Sequence, residues 1–239
     1  MGREHGNDMN EFTRPDWTPQ VPKGKRILVA GASGGIGRAL VAMLERSDCI
    51  IGAHGASRTP EASGKKIIPL QKTFENAADC VALVDEFSQA AGGIDGLVAL
   101  TGKIHFSGHW KDMPADDWAR DIDVNLNQPF HLARAAMAHM KSQGSGGRVV
   151  LNGTESALHG GSAQSFSYAI AKRGTEALVQ GLAREGAGAG ILVNGVRLGY
   201  ITSGFHERWH GRTPEQMKER ADLVPLKRGG HPDEAAALI

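Results

Sequence analysis

The feature that most constrains this chain is a glycine-rich turn that directly follows its first apolar run. Residues 26–30 form the run, and residues 31–37 read Gly-Ala-Ser-Gly-Gly-Ile-Gly. Ile36, Leu40 and Leu44 then recur at helical spacing. The pattern predicts a strand, a tight turn and a helix whose amino terminus can hold a dinucleotide pyrophosphate. A turn that is merely rich in glycine is the alternative, but the strand before it and the helix after it argue against that interpretation.

The alternation of apolar runs with helical periodicity continues through most of the chain. It predicts strands at residues 26–30, 50–51, 66–70, 96–100, 148–151 and 191–196, and helices at residues 36–44, 76–91, 115–141 and 165–185. Pro129 lies inside the third helix and is expected to kink or break it. Strands that alternate with helices predict an α/β fold: a single Rossmann-type, doubly wound parallel sheet with helices on both faces.

The sequence shows no internal repeat and no boundary of a second domain. Residues 24–239 are expected to form one dinucleotide-binding catalytic domain. Residues 1–23 are polar and contain three prolines, which predicts a flexible arm tethered by Trp17. The arm lacks the apolar core of a secretion signal, and no segment approaches the roughly 18 apolar residues of a membrane span. A cytoplasmic protein that does not enter a membrane is therefore expected.

The composition argues against several classes of partner. The chain has 239 residues and a formal net charge of +1, so no overall field recruits nucleic acid or an anionic membrane. Its two cysteines, Cys49 and Cys80, lie in or beside apolar runs. That setting favours two buried, reduced thiols over a disulfide or a metal-binding pair.

A tyrosine and a lysine form the strongest candidate for chemistry. Tyr168 is one of two tyrosines in the chain, and Lys172 follows it four positions later. Positions i and i+4 share one face of a helix. A phenol has an ordinary pKa of about 10, and a neighbouring ammonium is expected to lower it, which makes the pair a candidate general acid/base. A surface Tyr–Lys pair is the alternative, but the location after the fifth strand favours the catalytic interpretation.

The segment after the second strand bears on the choice of cofactor. NAD-binding proteins usually place an acidic residue about 20 positions after the glycine turn, where it holds the ribose hydroxyls. Residues 49–60 contain no Asp or Glu, and contain His54, Ser57 and Arg58 instead. An arginine there suits a 2′-phosphate, so the sequence favours NADP over NAD. A solvated loop position for Arg58 is the alternative.

Together these motifs resemble the short-chain dehydrogenase/reductase family, and the resemblance covers residues 24–239. The turn of residues 31–37 matches the family's cofactor turn, and Tyr168 with Lys172 matches its catalytic pair. The resemblance implies an NAD(P)-dependent oxidoreductase that interconverts carbonyls and alcohols of small molecules by hydride transfer. It also implies a homo-oligomer, either a dimer or a tetramer. Some features are similar to those of 3-oxoacyl-carrier-protein reductases.

The resemblance also assigns roles to individual residues. The implied catalytic residues are Tyr168, Lys172, Thr154 and Asn125. The predicted cofactor contacts include Ser57 and Arg58 after the second strand. The others are implied by the resemblance: Gly31, Ser33, Gly34, Gly35, Ile36, Gly37, Gly102, Lys172, Gly199 and Ile201. In this scheme Tyr168 donates a proton to the carbonyl oxygen and Thr154 hydrogen-bonds that oxygen. Lys172 lowers the pKa of the tyrosine and holds the nicotinamide ribose, and Asn125 holds a proton-relay water.

The chain departs from the family pattern at several positions. The family's Asn-Asn-Ala-Gly after strand four reads Ala-Leu-Thr-Gly at residues 99–102, and its Pro-Gly after strand six reads Leu-Gly at residues 198–199. Thr154 takes the place of the catalytic serine if one extra residue precedes the tyrosine, whereas the literal spacing falls on Glu155 and Ser156 is another alternative. These departures motivate a second hypothesis, a cofactor-binding sensor or scaffold with little catalysis.

The last part of the chain carries expectations of its own. Residues 203–224 are expected to form a lid in which Phe205 and Trp209 cover an apolar substrate. The basic residues of the lid are interpreted as a solvated helix face, with contact to an acidic carrier as the alternative: Arg208, Arg212, Lys218 and Arg220. The chain stops within a helix at residues 236–239, so the family's last strand is expected to be absent.

Two histidine pairs raise the possibility of a metal site. His105 and His109 are four positions apart, as are His206 and His210. The first pair falls in a predicted loop that has no Cys or acidic residue at ligand spacing. We therefore expect no metal, and interpret the histidines as solvent-facing residues or substrate contacts.

Overall fold

The computed structural model describes residues 21–58, 60, 64, 66–210 and 213–239, so most of the predicted arm and its Trp17 lie outside the described residues. The strands are β1 (Arg26–Ala30), β2 (Ile50–Gly55), β3 (Ile67–Gln71), β4 (Gly96–Ala99), β5 (Gly147–Thr154) and β6 (Ile191–Leu198). The helices are α1 (Gly35–Leu44), α2 (Ala77–Ala91), α3 (Ala115–Ile122), α4 (Gln128–Gln143), α5 (Phe166–Ala187), α6 (Phe205–His210), α7 (Pro214–Asp222) and α8 (Pro232–Leu238).

The six strands form one parallel sheet in the order β3-β2-β1-β4-β5-β6. The chain moves outward from β1 in one direction and then returns to add β4 on the other side. Connections at that point leave in opposite directions, which opens a crevice at the carboxyl ends of β1 and β4. The predicted α/β, doubly wound Rossmann-type sheet is confirmed.

Apolar side chains on both faces of the sheet explain why helices cover both sides. Leu28 and Val29 are adjacent in β1 and both are fully buried, but they point to opposite faces. Leu28 belongs to a core with residues of α2, α4 and α5, such as Phe87. Val29 belongs to a second core with residues of α1 and α8, such as Leu40. Full burial of each such side chain contributes about 1.5–3 kcal/mol.

The predicted helix over residues 115–141 is interrupted. α3 and α4 are separated by a π-helical turn at Asp123–Asn127. Pro129 lies in the first turn of α4, where the absence of a backbone N–H costs no intrahelical hydrogen bond. The expected disruption of this helical region is confirmed, and it takes the form of the π-helical turn just before the proline. The turn carries Asn125, which is fully buried.

The strand ends extend further than the sequence pattern suggested. β5 continues three residues beyond the predicted end at residue 151 and reaches Thr154, and β6 reaches Leu198. These extra residues deliver side chains to the carboxyl edge of the sheet. Cys49 and Cys80 are both buried free thiols, as predicted. No helix in the described residues has the length and apolar character required to cross a bilayer.

Candidate active site

A cavity of about 620 Å³ lies at the carboxyl edge of the sheet. Its lining includes Gly31 after β1, Leu100 after β4, Thr154 at the end of β5 and Leu198 at the end of β6. This is the edge at which doubly wound sheets bind their ligands, next to the point where the strand order reverses. The cavity therefore gathers groups from four strands and from the segment that follows β6.

The glycine turn forms one wall of the cavity. Gly34 is the N-cap of α1, and no side chain caps this helix end. A Cβ on Gly37 would overlap the carbonyl oxygen of Gly31 and the backbone of Ala32, so only glycine fits there. The close fit lets the first turn of α1 lie against the end of β1. The amino terminus of α1 thus presents N–H groups and a positive dipole end to the cavity, which suits a phosphate.

The segment after β6 lies against this turn. A Cβ on Gly35 would stand 2.5 Å from the carbonyl oxygen of Ser203 and 2.9 Å from its Cα. Any side chain at Gly35 would therefore displace the start of the predicted lid. The contact places the lid segment directly over the amino end of α1.

A buried histidine holds the first residue of the turn, a role that no local pattern around it predicted. His54, near the end of β2, is 1% exposed, and its ring stacks on Phe74 at 4.9 Å between centroids. Its Nδ1 accepts a hydrogen bond from the Gly31 N–H at 3.2 Å, and its Nε2 donates to the Lys72 carbonyl oxygen at 2.8 Å. The bond from Gly31 requires the neutral ring, because a protonated Nδ1 cannot accept. Burial lowers the pKa of His54, and the nearby Lys72 ammonium lowers it further, although the bond to Lys72 raises it in part.

His54 is expected to make the stability of the protein depend on pH. Its folded-state pKa lies below the ordinary value of 6.5, so the unfolded chain takes up this proton first as the pH falls. The contribution of neutral His54 to the free energy of unfolding is fully present above about pH 6.5. It declines at lower pH, by at most about 1.4 kcal/mol per pH unit. In His54→Asn, whose Oδ1 can still accept from Gly31, urea unfolding between pH 7.5 and 5 should show a shallower decline. His159→Asn, at a side chain 57% exposed, should keep the wild-type slope, and equal slopes in all three proteins would contradict the assignment.

Tyr168 and Thr154 meet in the cavity. Both residues line it, where burial raises the pKa of the Tyr168 phenol and interaction with the Thr154 side chain opposes that shift. Glu155 and Ser156 also line the cavity, but the contact recorded from Ser156 is its backbone N–H donating to Thr154 Oγ1 at 3.4 Å. Of the three alternatives for the serine position, Thr154 is therefore the residue that engages the tyrosine.

Lys172 is buried beside the tyrosine, as the helical spacing predicted. It is 1% exposed, and its Nζ lies 5.9 Å from the centroid of the Tyr168 ring. The ammonium donates to the carbonyl oxygens of Asn152 at 2.9 Å and Thr101 at 3.4 Å. The pair therefore occupies the interior and not an exposed helix face.

The prediction that Lys172 lowers the pKa of Tyr168 was wrong for the protein without a bound cofactor. Burial raises the pKa of Tyr168 to about 12, and the hydrogen bond with Thr154 offsets this only in part. Burial also lowers the pKa of Lys172 to about 8. Desolvation penalises the charged form of each group, and at this site that penalty exceeds their mutual attraction. The phenol is consequently protonated at neutral pH.

Asn125 lies next to the lysine, across Gly102. A Cβ on Gly102 would stand 3.1 Å from Asn125 Oδ1 and 3.7 Å from Lys172 Nζ. The Asn125 side chain itself is held by backbone, since its Nδ2 donates to the carbonyl oxygens of Lys103 at 2.7 Å and Asp121 at 2.8 Å. Gly102, which lines the cavity, thus lies beside both Asn125 and the Lys172 ammonium.

A buried carboxylate supports this region, and the sequence analysis missed it. Asp121 is fully buried, and its Oδ1 accepts from the backbone N–H of His105 at 2.8 Å and contacts the His105 ring at 2.9 Å. Its Oδ2 accepts from Ser167 Oγ at 2.6 Å. Asp121 therefore connects the loop after β4 to the residue that precedes Tyr168.

The other predicted cofactor residues divide into two groups. Gly34, Ile36, Gly199 and Ile201 line the cavity. Ser33, Ser57 and Arg58 are absent from the lining, and the last two are exposed. They still lie beside the turn, because a Cβ on Gly55 would contact both the Ser33 side chain and the Arg58 backbone. The second group forms an outer edge of the site, beyond the cavity itself.

Two polar atoms near Lys172 fit a bound nucleotide. Within the described part of the chain, the buried atoms Thr101 Oγ1 and Asn152 Oδ1 have no hydrogen-bond partner. Their own backbone carbonyls hold the lysine ammonium. Buried polar atoms are normally paired, so this pair of atoms indicates that a polar ligand group binds here. The uncapped α1 and these atoms together fit the two ends of a dinucleotide.

The predicted lid residues and histidine pairs lie only partly within the described residues. Phe205 lies 5.8 Å from the Tyr168 ring, between centroids, and lines the cavity. The side chain of Trp209 and all of Arg212 lie outside the described residues. His105 pairs with Asp121 as above, and no group of three potential metal ligands occurs within residues 21–58, 60, 64, 66–210 and 213–239.

The fold and the site together define a Rossmann-type oxidoreductase with a nucleotide-binding turn. The family model of short chain dehydrogenases matches residues 25–212. The chain therefore belongs to the short-chain dehydrogenase family, and the family resemblance inferred from the motifs is confirmed.

Relatives and solved structures agree with this assignment. An L-rhamnose 1-dehydrogenase (NAD(P)(+)) of Azotobacter vinelandii is 30% identical over 227 residues, which cover 90% of this chain and 88% of that one. A 3-oxoacyl-acyl-carrier-protein reductase of Vibrio cholerae is 31% identical over 226 residues, covering 91% and 88%. The crystal structure of a short-chain type dehydrogenase/reductase from Mycobacterium marinum matches with a TM-score of 0.81 and 27% identity, covering 90% and 87%. The protein is thus an NAD(P)-dependent oxidoreductase of this family.

Proposed function

We propose that the protein reduces the carbonyl group of a small molecule with NADPH, and that Tyr168 supplies the proton. The observation that carries this proposal is the convergence of Tyr168, Thr154 and the glycine turn on one cavity. Lys172 lies buried beside the phenol, at 5.9 Å from its ring centroid. A sensor or scaffold would have no need of a half-buried phenol beside a buried ammonium at the edge of a nucleotide cavity.

The proton chemistry follows from the state of the two hydroxyl groups. A bound nicotinamide supplies the hydride to the carbonyl carbon. Tyr168 gives its hydroxyl proton to the carbonyl oxygen, so the carbonyl becomes an alcohol and the phenol becomes a phenolate. Thr154 donates a hydrogen bond to the same oxygen and fixes its position. Because burial raises the pKa of Tyr168 to about 12, the proton is in place at neutral pH, which favours reduction over oxidation.

Lys172 and Asn125 act after the proton has left. The Lys172 ammonium stabilises the phenolate that forms, because opposite charges attract strongly in a buried site. With the cofactor bound, the same ammonium would hold the nicotinamide ribose. Asn125 lies across Gly102 from the ammonium and connects it to solvent through a water molecule, so that the phenol regains its proton.

The outer edge of the site supports NADP as the cofactor. Arg58 is exposed beside the glycine turn, where a guanidinium can bind a 2′-phosphate through two parallel hydrogen bonds. The segment of residues 49–60 has no carboxylate to hold a free 2′-hydroxyl. We therefore assign Ser57 and Arg58 to the 2′-phosphate and the turn to the pyrophosphate.

Nucleotide oxidation with a panel of aldehydes and ketones tests this function. Absorbance assays should show oxidation of NADPH, with a kcat/KM at least about tenfold above that for NADH, since a lost charge-assisted bond costs about 1.5–3 kcal/mol. Arg58→Ala should narrow that ratio. Tight NADPH binding without oxidation by any carbonyl would contradict the proposal and favour the sensor hypothesis. A preference for NADH would contradict the cofactor assignment alone.

Gly37→Ala is expected to weaken NADPH binding by at least about a hundredfold. The added methyl would overlap the Gly31 carbonyl, which forces the turn away from the geometry that holds the pyrophosphate. Fluorescence titration of NADPH gives the Kd. Gly181→Ala is the matched control, because a Cβ there has no atom within 4 Å. The control should bind NADPH normally and gain about 0.5–1 kcal/mol of stability. Equal affinities in the two variants would contradict the role of the turn.

A further inference from the structure

One carboxyl group is buried on a helix whose other residues are exposed or half-buried. The helix is α3, and Asp121 is the residue of Ala115–Ile122 that solvent does not reach. Removal of a carboxyl group from water is costly, and apolar replacements for buried ionic groups are often neutral or stabilising. Stability of the fold alone therefore does not explain this residue, and its contacts indicate a more specific role.

The contacts of Asp121 come from two separate segments of the chain. Its Oδ1 accepts from the backbone N–H of His105 at 2.8 Å and lies 2.9 Å from the ring Nδ1 of the same residue. Its Oδ2 accepts from Ser167 Oγ at 2.6 Å, and the Ser167 side chain is itself fully buried. One side chain thus joins the loop after β4 to the first turn of α5.

The first turn of α5 depends on this contact. Ser165 is the N-cap residue of α5, and its side chain makes no capping hydrogen bond. Ser167 lies in the first turn and donates to Asp121 instead. Tyr168 is the next residue, so the same turn sets the direction from which its ring enters the cavity. A tertiary contact therefore fixes the start of this helix in place of a local cap.

The loop after β4 reaches the lysine from the other side. The carbonyl oxygen of Thr101 accepts from Lys172 Nζ at 3.4 Å. Both backbone groups of Lys103 are held by Asn125, whose Nδ2 donates to the carbonyl oxygen at 2.7 Å and whose Oδ1 accepts from the N–H at 3.3 Å. The buried carboxyl group of α3 holds His105, two positions further along. This carboxyl group therefore anchors the end of a short segment that lies against the ammonium.

We propose that Asp121 is a positioning residue that fixes the phenol of Tyr168 for proton transfer, because it locks the first turn of α5 against the loop after β4. Asp121 acts through the tyrosine, since it is not among the described residues that line the cavity. The inference rests on the proposed role of Tyr168 as the proton donor. A reacting group that is misplaced by about 1 Å can lose about a hundredfold in rate, so kcat reports on such a link.

Kinetics of two Asp121 variants test this role. In Asp121→Ala the kcat for carbonyl reduction should fall about tenfold to a hundredfold, because the first turn of α5 loses its partner. The Kd for NADPH should stay within about twofold of wild type, since the glycine turn is not altered. Asp121→Asn should keep kcat within about threefold of wild type, because its Oδ1 can accept from His105 and its Nδ2 can donate to Ser167 Oγ. An Asp121→Asn protein as slow as Asp121→Ala would overturn the inference.

A double-mutant cycle with Tyr168→Phe separates positioning of the phenol from a general loss of structure. If Asp121 acts through the phenol, Asp121→Ala should cost less than about twofold in kcat once the phenol hydroxyl is absent. Losses that multiply in the double variant would show that Asp121 acts on another part of the protein, contrary to the proposal.

Two serine variants provide a second test and its control. Ser167→Ala breaks the same link from the other end with the loss of one oxygen atom, so it takes the place of Asp121→Ala if that variant does not fold. Its kcat should fall by at least about fivefold. Ser88→Ala is the control, because Ser88 is a buried helical serine that contacts His139 Nδ1 at 3.3 Å and is not among the described cavity residues. It should keep wild-type kcat, and equal rates in the two serine variants would contradict the proposal.

Carbon-13 NMR decides the positioning role without turnover. The chain has two tyrosines, Tyr168 and Tyr200, so protein labelled at the tyrosine Cζ gives two signals, and Tyr200→Phe assigns them. The Tyr168 signal should move by more than its line width in Asp121→Ala and Ser167→Ala, and return close to its wild-type position in Asp121→Asn. A signal that does not move would overturn the inference. If no carbonyl compound is reduced, the proposed function fails, and this signal still shows whether Asp121 positions the phenol.

Discussion

Tyr168→Phe is expected to lower kcat by about a thousandfold, within the usual range for the loss of a general acid. The change removes the one hydroxyl that we assign to proton donation and leaves the ring in its place against Phe205. Nothing in the glycine turn is altered, so the Kd for NADPH should stay within about twofold of wild type. Steady-state rates and fluorescence titration measure the two quantities separately.

A nearby aromatic residue gives the matched control. Phe166 lies at the start of α5, two positions before the tyrosine, and its ring packs near Trp110 at 5.9 Å outside the cavity lining. Phe166→Leu should keep kcat within about threefold of wild type, since it removes no reacting group. A Tyr168→Phe protein that turns over at the wild-type rate would refute the assignment of the proton donor.

Lys172→Met is expected to reduce kcat/KM by at least about a hundredfold and to abolish a pH-dependent loss of stability. Burial lowers the pKa of Lys172 from 10.5 to about 8, so the unfolded chain binds this proton more tightly than the folded one. The charged ammonium thus costs stability at low pH, about 3 kcal/mol at pH 7, and the cost disappears as the pH rises toward 10.5.

The sign of this effect can be measured as the difference in the free energy of unfolding between wild type and Lys172→Met. Between pH 7 and pH 9.5 the wild-type free energy of unfolding should rise by about 2 kcal/mol relative to that of Lys172→Met. Arg173→Met is the control, because Arg173 is 59% exposed and pairs with Glu176. It should follow the wild-type pH profile and retain turnover. A constant difference between wild type and Lys172→Met over this range would show that the lysine is not buried as described.

Local patterns were enough to predict most of the sheet. β1 and α1 follow from an apolar run, a glycine turn and helical periodicity, which are all local features. The boundary between α3 and α4 could not be placed from Pro129 alone, since a proline also fits the first turn of a new helix. The extension of β5 to Thr154 depends on pairing with β6 along its whole length, which no short window of sequence reveals.

The candidate site could be predicted only where its residues are close in sequence. Tyr168 and Lys172 are one helical turn apart, so spacing alone brought them together. His54 reaches the turn from a different strand, 23 positions from Gly31. Asp121 reaches Ser167 across 46 positions. Such contacts depend on tertiary packing, and a single sequence carries little information about it.

The pKa of Tyr168 shows a second limit. The spacing indicated a neighbouring ammonium, and Coulomb attraction was expected to dominate. In the structure Lys172 is buried and Tyr168 is half-buried, and loss of solvation is the largest cause of both pKa shifts. Burial depends on the complete fold. The direction of the shift could therefore not be obtained from the order of residues.

The contact of the Ser203 carbonyl with Gly35 has a kinetic consequence. This oxygen stands over the amino end of α1, where a pyrophosphate would approach, and both carry negative charge. We therefore expect nucleotide association to require withdrawal of the start of the lid at Ser203, and its observed rate should level off at high nucleotide concentration. The lid continues from Ser203 into α6 and α7. The nucleotide is therefore expected to enter first, and its arrival rearranges the surface that the second reactant meets.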